Sequence, residues 1–272
     1  MKSDVLTLDG KKSTPIDLPI VFNTKVNHDL IHKAYINLES HGFQKHATHP
    51  TAGQDVVADS NDPPTGRGVS RIARMKGGGG GRQGQGGEVA GTRGGRQAHR
   101  PYVNKIIHKK INKKENKLAL CSAIAATSSK ELIEMRGHKV SEIKSFPVII
   151  SDDVENISNT KKMIEVLNSL NLIEDVKRLE GRKKRTGKIA LRGRTSKIGK
   201  SVLFVVSNSQ KISKACSSIP GVDVCAAKDL SVLNLAPGGT VIRLTVFSKK
   251  AIEEISQIKS THLELMVTFQ WM

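Results

Sequence analysis

Aromatic side chains make up only 3% of the 272 residues, with one Trp, at position 271, and Tyr only at 35 and 102. Cysteine is scarcer still. Cys121, Cys216 and Cys225 are odd in number and form no C-x-x-C, which argues against a disulfide framework or structural zinc and suits a reducing compartment. No apolar run approaches the roughly 18 residues that a membrane helix needs, the longest lying near Val202–Val206. The opening MKSDVLTLDG has no apolar stretch behind its lysine, so it does not read as a secretory signal. Acid is also in deficit: 25 Asp and Glu stand against 44 Lys and Arg, a formal net charge of +19. An acidic partner is implied.

The excess is not spread evenly. Residues 67–117 carry a net +12 and residues 177–200 a net +10, while everything else together carries −3. Two dense cationic blocks on a nearly neutral remainder repel themselves unless a polyanion neutralises them, and neutralising phosphates releases condensed counterions. The first block is also rich in glycine: 13 of the 24 glycines lie between Gly66 and Gly95, with Glu88 the only acid among them. With few large apolar residues (Val69, Ile72, Met75, Val89), such a stretch cannot offset the entropy of ordering by itself. Glycine lets backbone approach another surface closely, and arginine offers planar, multidentate contacts to phosphate. The combination predicts a thread that orders against RNA.

Around it, hydrophobic spacing predicts regular elements. Val5–Leu8 reads as a strand. Asn27-His28-Asp29 opens a helix with Leu30, Ile31, Ala34, Tyr35 and Leu38 on one face, ended by His41-Gly42. Asn112 to Met135 predicts one long helix closing at Gly137. Phe146–Ile150 is a buried strand, and Thr160 caps a helix bearing Met163, Val166, Leu167 and Leu170. Ser201–Val206, Val222–Ala226 and Thr240–Phe247 are further strands, with helices over Gln210–Ser218 and from Ser248 through Ile258. This alternation predicts a single α/β domain over residues 1–272, layered, with a mostly parallel central sheet flanked by helices. Residues 43–111 would be a long, irregular, basic, glycine-rich loop inserted in it, and 177–200 a second basic segment.

Three motifs suggest other chemistry and fail on spacing. Gly199-Lys200-Ser201 resembles the end of a P-loop, but Arg194 stands where its first glycine belongs and a strand follows where a helix must open. Gly79-x-Gly81-x-x-Gly84 matches a dinucleotide fingerprint by letters only, with no strand before it. His28-Asp29-Leu30-Ile31-His32 places two imidazoles one turn apart, yet Asp stands in place of the reaching Glu and no third ligand is evident. Cys121, in an alanine-rich helical run, reads as a small packed side chain. No nucleophile–base set emerges, so the chain reads as a non-enzyme.

Several stretches carry a resemblance. Leu18-Pro19-Ile20-Val21-Phe22 is followed by Asp29-Leu30-Ile31. Gly66-Arg67-Gly68-Val69-Ser70-Arg71-Ile72 pairs with Gly94-Gly95-Arg96-Gln97-Ala98-His99. Asn112-Lys113-Lys114-Glu115 leads into Leu118-Ala119-Leu120 and Ser122-Ala123-Ile124-Ala125-Ala126-Thr127, and Asn234-Leu235-Ala236-Pro237-Gly238 lies farther on. Along most of its length the sequence resembles the universal large-subunit ribosomal protein that stands fourth in the standard series, in its archaeal and eukaryotic form. The lack of a long Lys-rich carboxy-terminal extension points to the archaeal type. The resemblance implies a globular α/β domain on the solvent side of the large subunit. It also implies a long loop that penetrates the large ribosomal RNA and helps line a constriction of the peptide exit tunnel, and a part in subunit assembly. The implied partners are large-subunit rRNA, neighbouring large-subunit proteins and, transiently near the loop tip, the nascent peptide. No cofactor, metal, membrane or small-molecule substrate is implied, and the location is the cytoplasmic large subunit. A free regulatory protein binding a messenger is the alternative.

In the first block the candidate RNA contacts are Arg67, Arg71, Arg74, Lys76, Arg82, Arg93, Arg96 and Arg100, continuing through Lys105, Lys109, Lys110 and Lys113. In the second they are Lys183, Lys184, Arg185, Lys188, Arg192, Arg194 and Lys197. With aromatics so scarce, recognition should run through phosphate, 2′-hydroxyl and shape rather than base stacking.

Overall fold

The computed structural model describes residues 2–60, 65–66, 68–77, 81–143, 145–181, 184–195 and 199–270. Its contacts divide the chain into two compact units, Met1–Ser40 with Lys110–Met272, and His41–Lys109.

The larger unit is built on a six-stranded sheet. Strands β1 (Lys2–Leu6) and β2 (Lys12–Asp17) form an antiparallel hairpin. Its turn is closed by Thr7 N–H on Lys11 O (2.9 Å), and Gly10 adopts φ +77° with its Cα against the Ser169 carbonyl. Helix α1 (His28–Glu39) follows; β3 (Ala58–Asp59) and β4 (Arg74–Met75) belong to the smaller unit. Next come α2 (Lys113–Ala126), α3 (Lys130–Met135), β5 (Val148–Ile150), α4 (Thr160–Ser169), α5 (Ile173–Lys177) and the single turn α6 (Lys188–Leu191). The chain ends with β6 (Leu203–Val206), α7 (Gln210–Cys216), β7 (Asp223–Ala226), α8 (Val232–Leu235), β8 (Thr245–Ser248), α9 (Lys249–Ser256) and α10 (Thr261–Gln270).

The strand order is β2-β1-β5-β8-β6-β7, and every pair except β1–β2 is parallel. In β5, β6 and β8 every residue is buried. Consecutive strand residues point to opposite faces, so both faces of the sheet centre are covered, as a parallel sheet requires. One helical group packs α1 on α2 and α8; another packs α4 on α5 and α7. Phe22 meets Phe247 edge-to-face with centroids 5.9 Å apart.

The α/β class with a mostly parallel sheet is as the sequence predicts, but several boundaries differ. The long helix predicted over Asn112–Met135 is two helices. Thr127 and Ser128 turn their hydroxyls back onto the carbonyls of Ile124 and Ala125 (2.6 and 2.7 Å), which terminates α2. The strand predicted from Thr240 begins only at Thr245, because Arg243 N–H bonds Leu235 O and Leu244 N–H points to His138 Nε2. Asn159, not Thr160, caps α4, its Oδ1 accepting from Lys161 N–H at 3.0 Å. The first strand is shifted to Lys2–Leu6, while β2 and α10 were not anticipated.

Candidate nucleic-acid interface

The smaller unit has little regular structure but is not featureless. Strands β3 and β4 pair antiparallel, and Arg74 bridges to Gly86, so residues near 57–59, 73–76 and 84–87 lie side by side. The ladder is extended by Lys76 N–H to Val57 O and Met75 N–H to Gln85 O (2.9 and 2.8 Å). The stretch read as structureless therefore contains a short three-segment ladder. Met75 and Ala58 supply its apolar contact, against which Gly87 lies with no room for a Cβ. Gly95 is equally confined: a Cβ there would fall 2.2 Å from Val89 O.

The cations of this unit divide by what they touch. Arg74 is half-buried; its Nη1 donates to Gly84 O and its Nη2 to Ser70 Oγ, both at 3.0 Å, so it fastens the ladder. Lys76 pairs with Asp59 at 2.6 Å, and this contact lowers the Asp59 carboxyl below its usual range. Arg100 donates to His49 O (3.2 Å) and lies 5.9 Å from the Tyr102 ring centroid. Arg71, Arg82, Arg93, Arg96 and Lys105 are exposed and join no ion pair among the described residues; Lys109 is exposed as well. Near the segment's ends, the His41 and His108 rings stack with centroids 5.3 Å apart. Each ring contacts a carbonyl through Nε2, His41 that of Lys109 and His108 that of Phe43.

In the larger unit, Lys110 and Lys113 are exposed at the start of α2. The second basic segment folds back on itself: Arg185 N–H bonds Thr195 O at 2.8 Å, and Gly187, at φ +69°, opens the single turn α6. Lys184, Lys188, Arg192 and Arg194 are exposed around that turn and Arg185 is half-buried. Arg67, Lys183 and Lys197 lie outside the described residues.

Beyond the predicted residues, the segment's two ends run into a buried polar network. Asp175, fully buried, accepts from His138 Nδ1 (2.9 Å), Ser201 Oγ (2.7 Å), Arg178 Nε (2.9 Å) and Lys139 N–H (3.1 Å). Burial raises its pKa, but these donors outweigh burial and hold the carboxyl far below the usual range. Arg243 is likewise buried; it donates to the Val202 and Gly221 carbonyls and to Asp223, which Lys200 also contacts at 2.7 Å. Beside this network opens a cavity of about 600 Å³ lined by Tyr35, Glu39, Arg136, His138, Arg178, Gly199, Lys200, Pro237, Gly238 and Thr240. Arg136 lies outside both basic blocks and carries no signal in the sequence; Arg178 and Lys200 fall within the second block, Lys200 otherwise only as part of the P-loop-like Gly199-Lys200-Ser201.

Lys200 is engaged by Asp223, and Ser201 hydrogen-bonds Asp175 and leads into β6 rather than a helix, so no phosphate-binding loop exists there. His28 and His32 are exposed, and among the described residues no group of three or more His, Cys, Asp or Glu could hold a metal. Cys121 and Cys216 are buried, their thiols pushed up by burial to about 11 and about 12, so both are unreactive packing residues. No described helix is long and apolar enough to cross a membrane.

Among curated relatives, the large ribosomal subunit protein uL4 of Methanosphaera stadtmanae is 39% identical over 258 residues, covering 94% of this chain and 97% of its own. The uL4 of Methanococcus aeolicus is 40% identical over 258 residues, covering 94% and 99%. That of Pyrobaculum aerophilum is 41% identical over 256 residues, covering 93% and 89%. A sequence model of the ribosomal protein L4/L1 family matches residues 16–258, and on that match and these relatives the chain belongs to the ribosomal protein L4/L1 family.

Proposed function

We propose that the chain is a structural component of the cytoplasmic large ribosomal subunit and binds large-subunit rRNA through two cationic surfaces. One is the His41–Lys109 unit; the other is the segment of residues 177–200. The observation that carries this reading is the segregation of charge: +12 and +10 in two blocks, −3 elsewhere, with Arg71, Arg82, Arg93, Arg96, Arg192 and Arg194 exposed and outside the described ion pairs. Exposed guanidinium groups at this density favour a phosphate-lined partner. Arg74 and the confined glycines would hold the backbone of the smaller unit in a shape that fits between RNA helices, while the exposed arginines neutralise phosphates where those helices converge. Part of this unit would line the peptide exit tunnel, next to the nascent chain, and the protein would join the subunit during its assembly alongside neighbouring large-subunit proteins.

Cosedimentation tests the reading. Expressed in its own cells, the protein should travel with the large subunit and stay with it through a high-salt wash. Release at moderate salt, with the protein recovered on a messenger, would instead identify a free regulator.

A further inference from the structure

The cavity beside Asp175 has an unusual occupant in its wall. The Arg136 guanidinium is half-buried, and its described partners are two neutral carbonyls, those of Pro237 and Thr240. Those bonds use two of its five N–H groups. Among the described lining residues Glu39 is the only carboxylate; its Oε1 accepts from Tyr35 Oη at 2.9 Å, and it forms no ion pair with Arg136. Burial, with Arg243 and Arg178 as like-charged neighbours, pushes the Arg136 pKa down to about 10. Arg178 also faces the cavity. Its Nε and Nη2 are bonded to Asp175 and to the Lys200 carbonyl, while its Nη1 makes no described bond. A desolvated guanidinium crowded by like charge and lacking an acid is a costly arrangement, which an incoming anion relieves.

We propose that this cavity is a phosphate subsite: a backbone phosphate of large-subunit rRNA sits against the free edge of Arg136 and Nη1 of Arg178. The proposal rests on the reading of the chain as an rRNA-binding protein and deepens it. RNA is favoured over a protein carboxylate by what forms the cavity wall. Gly199 and Lys200 are the last residues of the +10 segment, so RNA drawn to that segment brings its phosphates to the cavity mouth. Gly238, at φ +85°, lines the same cavity and adds no side-chain bulk to it.

The test is the salt dependence of rRNA binding by the full chain, with thermal unfolding as the control for fold. Arg136→Gln should lower the slope of log K against log salt by about 0.7 to 0.9, one phosphate contact, and Arg136→Lys should restore it. An unchanged slope in a folded Arg136→Gln protein overturns the proposal. The triple variant Lys188→Gln, Arg192→Gln, Arg194→Gln separates the two readings. A lower slope there with none for Arg136→Gln removes the cavity alone, whereas a wild-type chain that fails to bind rRNA removes both. Should Arg136→Gln fail to fold, phenylglyoxal labelling of the wild-type chain decides. Arg136 should be protected by rRNA and not by inorganic phosphate at matched ionic strength. Equal protection by inorganic phosphate would reveal a free-anion site, and protection appearing only in the assembled subunit a protein occupant; either overturns the proposal.

Discussion

Asp175 accepts from four residues in a site without solvent, and its carboxylate is what makes those contacts favourable. An unfolded aspartate titrates near 3.9. Folding depresses Asp175 well below that, so its stabilisation is complete above the unfolded value and is lost as pH falls toward the folded one. Asp175→Asn should therefore cost about 3 kcal/mol at neutral pH, the low end for breaking a buried pair because Arg178 keeps 29% of its side chain exposed. The gap in melting temperature between wild type and variant should narrow below pH of about 4. Parallel melting curves through that acid range would contradict the assignment. Single residues were unevenly legible. That Cys121 packs and that Lys200 belongs to no phosphate loop followed from local pattern. The pairing of Asp175 with His138 and Ser201 did not, since nothing in the sequence near any of them marks the others.

At the scale of elements, burial decided what could be read. Strands β5, β6 and β8 appear as unbroken apolar runs because both of their faces are covered. Strand β2, KSTPID, is almost wholly exposed at the sheet edge and carries a proline, so it shows no apolar signal. In α10, Leu263 is buried while Leu265 and Val267 are exposed, so its apolar residues mark no single face. The break between α2 and α3 had a signal, the run Thr127-Ser128-Ser129, whose hydroxyls compete for helix carbonyls. Caps carry measurable energy. Ser248 accepts from Ala251 N–H (3.2 Å) and donates to Glu155 Oε1 (2.9 Å), so Ser248→Ala should destabilise by about 1 to 2 kcal/mol in denaturant titration. Ser209→Ala, whose side chain caps nothing at the start of α7, should cost clearly less. Equal losses would show that the Ser248 contacts contribute nothing particular. In the smaller unit, Gly95→Ala drives a Cβ into the Val89 carbonyl and should raise amide exchange across residues 84–96 without lowering the main thermal transition. Unchanged exchange would mean that the close approach is not needed.

For the molecule as a whole, the distribution of charge was the most legible property, because it needs no fold to be counted. It located the exposed arginines of both blocks but not the cavity, where Arg136, from outside both blocks, meets Arg178 and Lys200 of the second block only once the sheet is formed. The division into two units has a consequence for deletion. Removing Lys76 to Thr92 lies wholly within His41–Lys109, so the thermal transition of the sheet-bearing unit should persist while large-subunit maturation is impaired. Loss of that transition would show that the glycine-rich residues belong to the core.

The proposed function requires direct contact between RNA phosphates and exposed cations outside the described ion pairs. It is tested most directly by the slope of log K against log salt for the full chain on large-subunit rRNA, compared with Arg71→Gln, Arg82→Gln, Arg93→Gln and Arg96→Gln combined. Each lost contact should lower the slope by about 0.7 to 0.9, with the weakening greatest at low salt. A combined variant with the wild-type slope and affinity would show that these arginines do not touch phosphate and would contradict the proposed mode of binding.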